Sequence, residues 1–309
     1  MLFSLLANLT IIYHLFSLPL AAVSFIDASQ ELNRGEVFLN TRTYQTNEPY
    51  RNNNNSLGMK ITAASAMVVD ERTGLVLWQK NQDKVQPLAS ISKLMAALVF
   101  LDNNPGWDKV MTAQTSDFRG GGKAYIYQGE EITVKDLFNL SLVASSNSAT
   151  IVLSRATGLS LEEFVKKMNQ KAAILGMSQS RFVEPTGLSI KNISSAADVI
   201  KLAIAAFAQA EIRQATVQSE YTFQILNNQR TETAKSTDKL LSSYLKINAG
   251  KTGYLDESGN CLTAEVEGNQ GQRLLVVVLN SLSDTDRFQD LKALAQWTFD
   301  NYVWPRPIF

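Results

Sequence analysis

The chain has 309 residues, of which 45% are hydrophobic, and its 29 basic residues balance its 29 acidic residues. A chain of this length and composition can bury the core of one large domain or of two small ones. It carries no long basic block and no basic patch interleaved with aromatic residues. This pattern argues against nucleic acid and against an anionic membrane surface as partners.

Cysteine and histidine each occur once, as Cys261 and His14. A single cysteine excludes an intrachain disulfide and a cysteine zinc site. His14 lies in an apolar N-terminal run, so a folded part without that run has no Ser-His-Asp triad and no histidine-ligated zinc. The sequence therefore predicts no metal and no other cofactor, and a hydrolytic nucleophile would need a base such as lysine.

The N-terminal residues 1–26 contain no Asp, Glu, Lys or Arg and end near small residues at Ala22 and Ser24. This pattern predicts an export signal over residues 1–24, although the usual positive start is missing. A retained anchor is the alternative, because the run nearly spans a bilayer. Membrane contact is expected only through this segment, and the protein is expected in the periplasm or elsewhere outside the cytoplasmic membrane.

Residues 25–58 are predicted to form a flexible tether, because "TNEPYRNNNNS" is rich in Asn and shows no hydrophobic period. The folded domain is predicted to cover residues 59–309. Its first part, residues 64–81, predicts two strands around a turn at 71–74.

Helical periods then follow in the middle of the chain, and strands return near its end. The predicted helices cover residues 93–101, 134–154, 161–175, 196–208 and 286–302. Residues 251–282 predict three strands joined by "DESGN" and "GNQGQ". Strands at both ends predict one mainly antiparallel sheet with an inserted helical lobe, which is an α/β (α+β) fold.

Ser90 and Lys93 stand one helical turn apart in "PLASISKLMAAL", and the residues after them are apolar enough to bury the helix. A buried lysine is costly unless it is paired or neutral, and a neutral lysine can take the proton of a neighbouring serine. On this stretch alone a structural interpretation is simpler, with Ser90 as a helix cap and Lys93 reaching to water.

Two further motifs favour the chemical interpretation. Ser145 and Asn147 form an S-x-N in "ASSNSAT", between predicted helices, although polar capping would explain this motif by itself. Lys251, Thr252 and Gly253 form a K-T-G at the start of a predicted strand. The order S-x-x-K, S-x-N, K-T-G is typical of penicillin-binding proteins and class A β-lactamases. The three motifs together predict a penicillin-interacting serine acyltransferase.

The chain also resembles a known family, the low-molecular-mass D-alanyl-D-alanine carboxypeptidases and endopeptidases of peptidoglycan. The similar stretches are "GGGKAYIYQGEEITVKDLF", "FVKKMNQKAAILGM" and "RFVEPTGLS". The resemblance implies a β-lactamase/transpeptidase-like fold, peptidoglycan stem peptides as substrates, and β-lactam antibiotics as covalent inhibitors. It implies Ser90 as nucleophile and Lys93 as general base. The other site residues that it implies are Ser145, Asn147, Lys251, Thr252, Gly253, Tyr254 and Arg287.

The residue types suit this chemistry. Burial and the positive charge of Lys251 both lower the pKa of Lys93, which favours its neutral form. Ser145 can relay a proton toward the leaving amine, and Asn147 can hold the lysine and the substrate peptide. The backbone N–H of Tyr254 is expected to be one donor of an oxyanion hole. Arg287 is expected to support the binding of a terminal carboxylate.

Two other classes of protein stay open. A class A-like β-lactamase would need a glutamate for deacylation, and "VEPTGL" offers Glu184. A non-catalytic penicillin-binding sensor would keep Ser90 and lose turnover. Within the peptidases, the residues do not separate carboxypeptidase from endopeptidase activity, although the short form and "GNCL" resemble the endopeptidase branch. The segment 223–246 aligns poorly with the family and receives no predicted role.

Overall fold

The computed structural model describes residues 48–52, 56 and 58–305. In chain order its strands are β1 (Tyr50–Arg51), β2 (Ser65–Asp70), β3 (Val76–Lys80), β4 (Gln86–Pro87), β5 (Val110–Thr112), β6 (Glu131–Thr133), β7 (Ile193–Ser194), β8 (Glu220–Gln224), β9 (Thr231–Lys235), β10 (Lys246–Leu255), β11 (Gly259–Glu267), β12 (Arg273–Ser281) and β13 (Tyr302–Val303). Its helices are α1 (Ser92–Leu101), α2 (Val134–Val143), α3 (Asn147–Ala156), α4 (Leu161–Ile174), α5 (Ala196–Phe207), α6 (Ala210–Thr216) and α7 (Asp284–Asn301). None of these described helices combines the length and the apolar character that a membrane crossing requires.

The central sheet has five antiparallel strands in the order β10-β11-β12-β2-β3. Strand β12 pairs with β2, so that Leu274 lies opposite Asp70 and Leu279 opposite Ser65. Residues from the two ends of the described domain thereby share one sheet, with the helices α1 to α6 inserted between β3 and β10 along the chain. The predicted antiparallel sheet and its helical insertion are confirmed.

The two faces of the sheet carry separate hydrophobic cores, because side chains alternate along a strand. In β12, Leu274, Val276 and Val278 belong to the cluster that includes α7, whereas Leu275 and Val277 belong to the cluster of the inserted helices. The continuous apolar run of β12 is therefore explained by burial on both faces. The sheet forms the middle of three layers.

The helix predicted over residues 134–154 is two helices, α2 and α3. Ser145 has a φ of +56°, a left-handed backbone conformation that interrupts a right-handed helix. The hydroxyl of Ser146 then caps α3 by accepting from the backbone N–H of Ala149. The S-x-N motif consequently lies at a junction between helices, where its side chains can leave the helix surface.

The structure differs from the predicted tether at the C-terminal end of that segment. Tyr50 and Arg51 form β1, which pairs with β13, and the Arg51 guanidinium lies 5.5 Å from the ring centre of Trp297. Backbone pairing and this cation–π contact attach part of residues 25–58 to the domain. The predicted signal or anchor over residues 1–24 lies outside the described residues.

Asp290 of α7 connects the start of the domain to the end of β12. Its buried carboxylate accepts from the backbone N–H of Thr62 at 2.8 Å and of Ala63 at 2.8 Å. It also accepts from the hydroxyls of Thr62 and Ser281, each at 2.7 Å. Both segments are held where β2 and β12 leave the sheet, because one carboxylate satisfies all four donors.

Replacing Asp290 by Ala should lower the free energy of unfolding by about 3 kcal/mol, since four donors lose a charged acceptor in a buried place. Urea unfolding measures this loss. Asp300→Ala on the exposed face of the same helix is the matched control and should change the free energy of unfolding by less than about 0.5 kcal/mol. Equal losses in the two variants would contradict the connecting role of Asp290.

Candidate active site

The three sequence motifs meet where the helical lobe contacts the edge strand of the sheet. Ser90 lies in a 3-10 turn, Ala89–Ile91, that leads into α1, and it is half-buried. Ser145 and Asn147 lie at the junction of α2 and α3. Lys251, Thr252 and Gly253 lie in β10, the first strand of the sheet order. The fold brings together residues that are far apart in the chain.

Lys93 is the buried centre of the site, with no exposed surface. Its Nζ lies 2.8 Å from Ser90 Oγ, 2.7 Å from Asn147 Oδ1 and 2.6 Å from the carbonyl oxygen of Thr186. Burial and the nearby charge of Lys251 hold the pKa of Lys93 well below its ordinary value, and the carboxylate of Glu184 opposes them in part. The expected lowering of the Lys93 pKa is therefore present.

Asn147 links Lys93 to a glycine-rich loop. Its Nδ2 donates to the carbonyl oxygens of Gly120 at 2.9 Å and Gly121 at 3.0 Å. Because carbonyls only accept, they fix the amide with its nitrogen toward the loop and its oxygen toward Lys93. The expected contact with the lysine is present. Both amide hydrogens serve the loop, so a substrate carbonyl would have to replace Gly120 or Gly121.

Lys251 brings a second buried ammonium to the site, and only 1% of its surface is exposed. Its Nζ donates to Ser145 Oγ at 2.9 Å and to the carbonyl oxygen of Thr252 at 3.0 Å. Burial, followed by the charge of Arg287, lowers the pKa of Lys251 to about 7, and Asp238 opposes this shift. Ser145 therefore connects the second and third motifs directly.

Two glycines let the backbones of the site approach each other closely. A Cβ on Gly253 would lie 2.9 Å from the carbonyl oxygen of Leu88 and 3.1 Å from the backbone nitrogen of Ser90. A Cβ on Gly187 would lie 1.9 Å from the carbonyl oxygen of Ala89, and Gly187 also has a φ of +86°. Side chains are thus excluded on two sides of the serine turn, and Gly253 faces that turn itself.

Thr252 of the third motif and the other two predicted site residues, Arg287 and Tyr254, contact the strand region or face solvent. The Thr252 hydroxyl lies 2.6 Å from the Thr237 hydroxyl. Arg287 is buried, donates to the carbonyl oxygen of Gly253 at 2.9 Å and forms an ion pair with Asp284. Tyr254 is 56% exposed, and its hydroxyl donates to Asp256. Arg287 therefore contacts the backbone of the K-T-G strand. Its expected support of a substrate carboxylate would be indirect, through this strand.

Glu184 is built into the loop that carries Thr186. One carboxylate oxygen accepts from the backbone N–H and hydroxyl of Thr186, at 2.7 Å and 2.5 Å. The other accepts from the backbone N–H of Gly187 at 2.6 Å and from Asn192 Nδ2 at 3.0 Å. Glu184 shapes the loop whose Thr186 carbonyl contacts Lys93, and the β-lactamase interpretation, which needs this glutamate to activate a water, is not favoured.

Several residues of the site have no signal in the three motifs. The contacts of Thr186, Gly120, Gly121 and Thr237 are made by a carbonyl or by an ordinary hydroxyl, which spacing alone does not single out. The glycine run in "GGGK" and the phrase "VEPTGL" are the local signals that point to these loops. Within the described residues, no group of His, Cys, Asp and Glu is arranged to hold a metal ion.

A serine and a lysine one turn apart, braced by an S-x-N junction and a K-T-G edge strand, define the class of penicillin-binding serine acyltransferases. The sequence comparison narrows the class further. Residues 50–283 match the family model described as D-alanyl-D-alanine carboxypeptidase, and the chain belongs to this family.

Relatives and solved structures agree with this family. The chain is 34% identical over 245 residues to a D-alanyl-D-alanine endopeptidase of Pseudomonas aeruginosa, which covers 78% of each chain. It is 35% identical over 252 residues to the endopeptidase of that name from Escherichia coli, which covers 80% of this chain and 81% of the relative.

The fold is likewise similar to a Streptomyces DD-transpeptidase, with a TM-score of 0.74 at 25% identity, over 79% of this chain and 100% of that one. It is similar to a cefotaxime-bound penicillin-binding protein of Listeria monocytogenes, with a TM-score of 0.70 at 30% identity and the same coverage. The transpeptidase-like fold is confirmed, and the protein is a serine peptidase that acts on D-alanyl-D-alanine bonds of peptidoglycan. The β-lactamase and the non-catalytic sensor are not favoured.

Gly187→Ala should slow acylation by labelled penicillin at least about tenfold, because the new Cβ displaces the serine turn and a displacement of about 1 Å is costly to a reacting geometry. The rate of labelling and the midpoint of thermal unfolding are measured together. Gly158→Ala is the matched control, since Gly158 has a φ of +81° but has open space around it. Equal slowing in both variants would show that backbone strain, and not the contact with Ala89, is responsible.

Proposed function

We propose that the protein is an endopeptidase that opens D-alanyl cross-links through an acyl-enzyme on Ser90, with Lys93 as the general base. The observation that carries the catalytic assignment is the position of Lys93 Nζ, 2.8 Å from Ser90 Oγ, in a place without exposed surface. A general base must be within hydrogen-bond reach of the proton that it takes, and its pKa must favour the unprotonated form at the working pH.

The hydrogen bonds around Lys93 support its role as the base. A neutral amine has two N–H groups and one lone pair. The carbonyl of Thr186 and the amide oxygen of Asn147 can only accept, so they take the two hydrogens. The lone pair is then directed to Ser90, whose hydroxyl can donate. The same contacts that stabilise the buried lysine thus orient it for proton transfer.

The proposed reaction has two parts. The Oγ of Ser90 attacks the carbonyl carbon of the D-alanyl residue while its proton passes to Lys93, and a tetrahedral oxyanion forms. The C–N bond then breaks, and the proton held by Lys93 passes by way of Ser145, which lies 2.9 Å from Lys251 Nζ, to the leaving amine. Water then attacks the ester and gives a proton to the neutral Lys93. Lys93 returns this proton to Ser90 Oγ as the C–O bond breaks and the acid product leaves.

The oxyanion would be stabilised by the backbone N–H groups of Ser90 and Tyr254, the strand residue after Gly253. The close approach of Gly253 to the serine turn supports this proposal, because it brings the two backbones side by side. A donor of this kind typically contributes about 3 kcal/mol to the stability of the transition state. Lys251 and Thr252 would receive the carboxylate of the substrate, and Arg287 would act on them through the carbonyl of Gly253.

The endopeptidase preference is supported by the relatives, since the Pseudomonas aeruginosa and Escherichia coli proteins are both named endopeptidases. Peptidoglycan stem peptides are the proposed substrates and β-lactams the proposed covalent inhibitors, and the Listeria protein of similar fold is in a cefotaxime-bound form. Because peptidoglycan lies outside the cytoplasmic membrane, we also infer that the protein is exported, with residues 1–24 as the signal or anchor. Residues 59–309 would then carry the activity.

Labelled penicillin should acylate Ser90, and Ser90→Ala should abolish the labelling because the attacking oxygen is lost. The label is located by mass spectrometry of peptides, and thermal unfolding checks that the variant is folded. Ser92→Ala removes a buried hydroxyl two residues further along the same segment and should keep the labelling. A label that survives in Ser90→Ala and maps to another serine would refute the assignment.

Intact cross-linked sacculi and dimeric muropeptides should be cleaved faster than a free pentapeptide ending in D-alanyl-D-alanine. Mass spectrometry of the products measures both reactions in the same mixture, and Ser90→Ala serves as the inactive control. Efficient release of D-alanine from the pentapeptide with intact dimers would contradict the endopeptidase proposal. That outcome would leave Ser90 and Lys93 as the catalytic pair of a carboxypeptidase.

A further inference from the structure

Asp238 is a buried carboxylate in the segment 223–246, to which the family resemblance assigns no role. Only 6% of the residue is exposed. One oxygen, Oδ1, accepts from the backbone N–H of Leu240 at 2.9 Å and caps the short 3-10 turn Lys239–Ser242. The other oxygen, Oδ2, is buried and has no hydrogen-bond partner among the described residues. Such an oxygen is costly unless a nearby positive charge compensates it.

The free oxygen lies directly against the K-T-G strand. A Cβ on Gly250 would lie 2.5 Å from Asp238 Oδ2, so that only a glycine before Lys251 leaves room for the carboxylate. The residue before Asp238 contacts the same strand, because the Thr237 hydroxyl lies 2.6 Å from the Thr252 hydroxyl. The segment 223–246, which received no predicted role, therefore reaches β10 at the residues of the third motif.

The charges around this oxygen are mostly positive. Burial raises the pKa of the Asp238 carboxyl, and the hydrogen bond from Leu240 and the charges of Lys251 and Arg287 oppose this shift. The field of Asp238 acts in turn on both cations. The Nε of Arg287 is itself buried without a hydrogen-bond partner in the described part of the chain, so an unpaired donor and an unpaired acceptor of opposite charge are both buried near β10. The carboxylate of Asp284 also faces Arg287, but it is half-exposed and shared with Lys239.

We propose that Asp238 is a positioning residue whose carboxylate favours the charged form of Lys251 and, through Lys251, the neutral form of Lys93. The inference rests on the proposed roles of the two lysines. In this proposal Asp238 does not touch the substrate. It acts through Lys251 on the strand that binds the substrate. The proposal gives the unassigned segment a task in the reaction.

The signs of the electrostatic effects support this chain of influence. Burial and Arg287 lower the pKa of Lys251 to about 7, and Asp238 raises it. A charged Lys251 in turn lowers the pKa of Lys93, whereas Glu184 raises it. Loss of the Asp238 charge should therefore lower the pKa of Lys251 and, as Lys251 becomes neutral, raise the pKa of Lys93.

The thiol of Cys261, the other titratable group that faces Arg287, does not substitute for Asp238. It lies on β11 opposite Gly253 and is fully buried. Burial raises the pKa of this thiol to about 11, so it stays neutral over the range in which the lysines titrate. Among the described groups whose fields act on Lys251, Asp238 is thus the negative one.

The test is the pH dependence of acylation by a fluorescent penicillin, measured from about pH 5 to about pH 9 as a second-order rate constant, which reports the groups of the free enzyme. The full-length enzyme should give a bell-shaped profile, with a rise as Lys93 loses its proton and a fall as Lys251 loses its own. In Asp238→Asn both limbs should move inward by about half a pH unit, with a roughly three- to tenfold loss of rate near pH 7.

Two further variants separate charge from structure. Asp238→Ser keeps an oxygen that can cap the 3-10 turn and should narrow the profile in the same way, which covers the case that the Asn variant does not fold. Glu257→Gln removes an exposed negative charge from the turn after β10 and should leave both limbs in place, because solvent screens that charge.

The outcomes are distinct. A uniform loss of rate at every pH, or unchanged limbs in the Asp238 variants beside a bell-shaped parent, overturns the role of Asp238 alone. A parent enzyme whose rate shows no limbs overturns this inference together with the proposed roles of the lysines. Inward movement of both limbs, with Glu257→Gln unchanged, supports the proposal.

Discussion

The complete burial of the Lys93 ammonium group is the constraint on which the active site depends. A lysine side chain without exposed surface loses its hydration. Its burial is tolerated only if the protein supplies hydrogen-bond partners for the nitrogen. Its three partners come from the Ser90 turn, from Asn147 at the α2–α3 junction and from the Thr186 loop. Each segment must therefore be placed to within a hydrogen bond of one nitrogen, which explains why loops without regular structure are held so tightly.

Close backbone approach follows from this constraint. The Thr186 loop reaches Lys93 only by passing the serine turn, where Gly187 leaves no room for a side chain. The edge strand reaches the same turn from the other side through Gly253. Both carboxylate oxygens of Glu184 accept hydrogen bonds from the loop. This glutamate, of a residue type that often acts as a catalytic acid, therefore stabilises the conformation of the loop. The Thr186 loop, the serine turn and the edge strand are therefore packed directly against one another.

A second buried cation, Lys251, couples the protonation of the two lysines of the site. The charge of Lys251 favours the neutral form of Lys93, and the charge of Arg287 favours the neutral form of Lys251. The half-buried carboxylate of Glu184 limits this effect at Lys93, and the buried carboxylate of Asp238 limits it at Lys251. The pair can then hold one neutral and one charged lysine, which is the combination that the proposed proton transfer and carboxylate binding require.

The order and spacing of the three motifs already indicated the class of chemistry, because a chain whose one histidine is His14 leaves lysine as the proposed base for Ser90. Period and turn residues likewise predicted the antiparallel sheet and most helices. Three features are visible only in the tertiary structure. They are the interruption of the helix at Ser145, the position of the Asp238 carboxylate against Gly250, and the hydrogen bond from Arg287 to the carbonyl of Gly253. These features depend on contacts between residues that are distant in the chain. The local sequence does not indicate which backbone segment will lie beside which carboxylate.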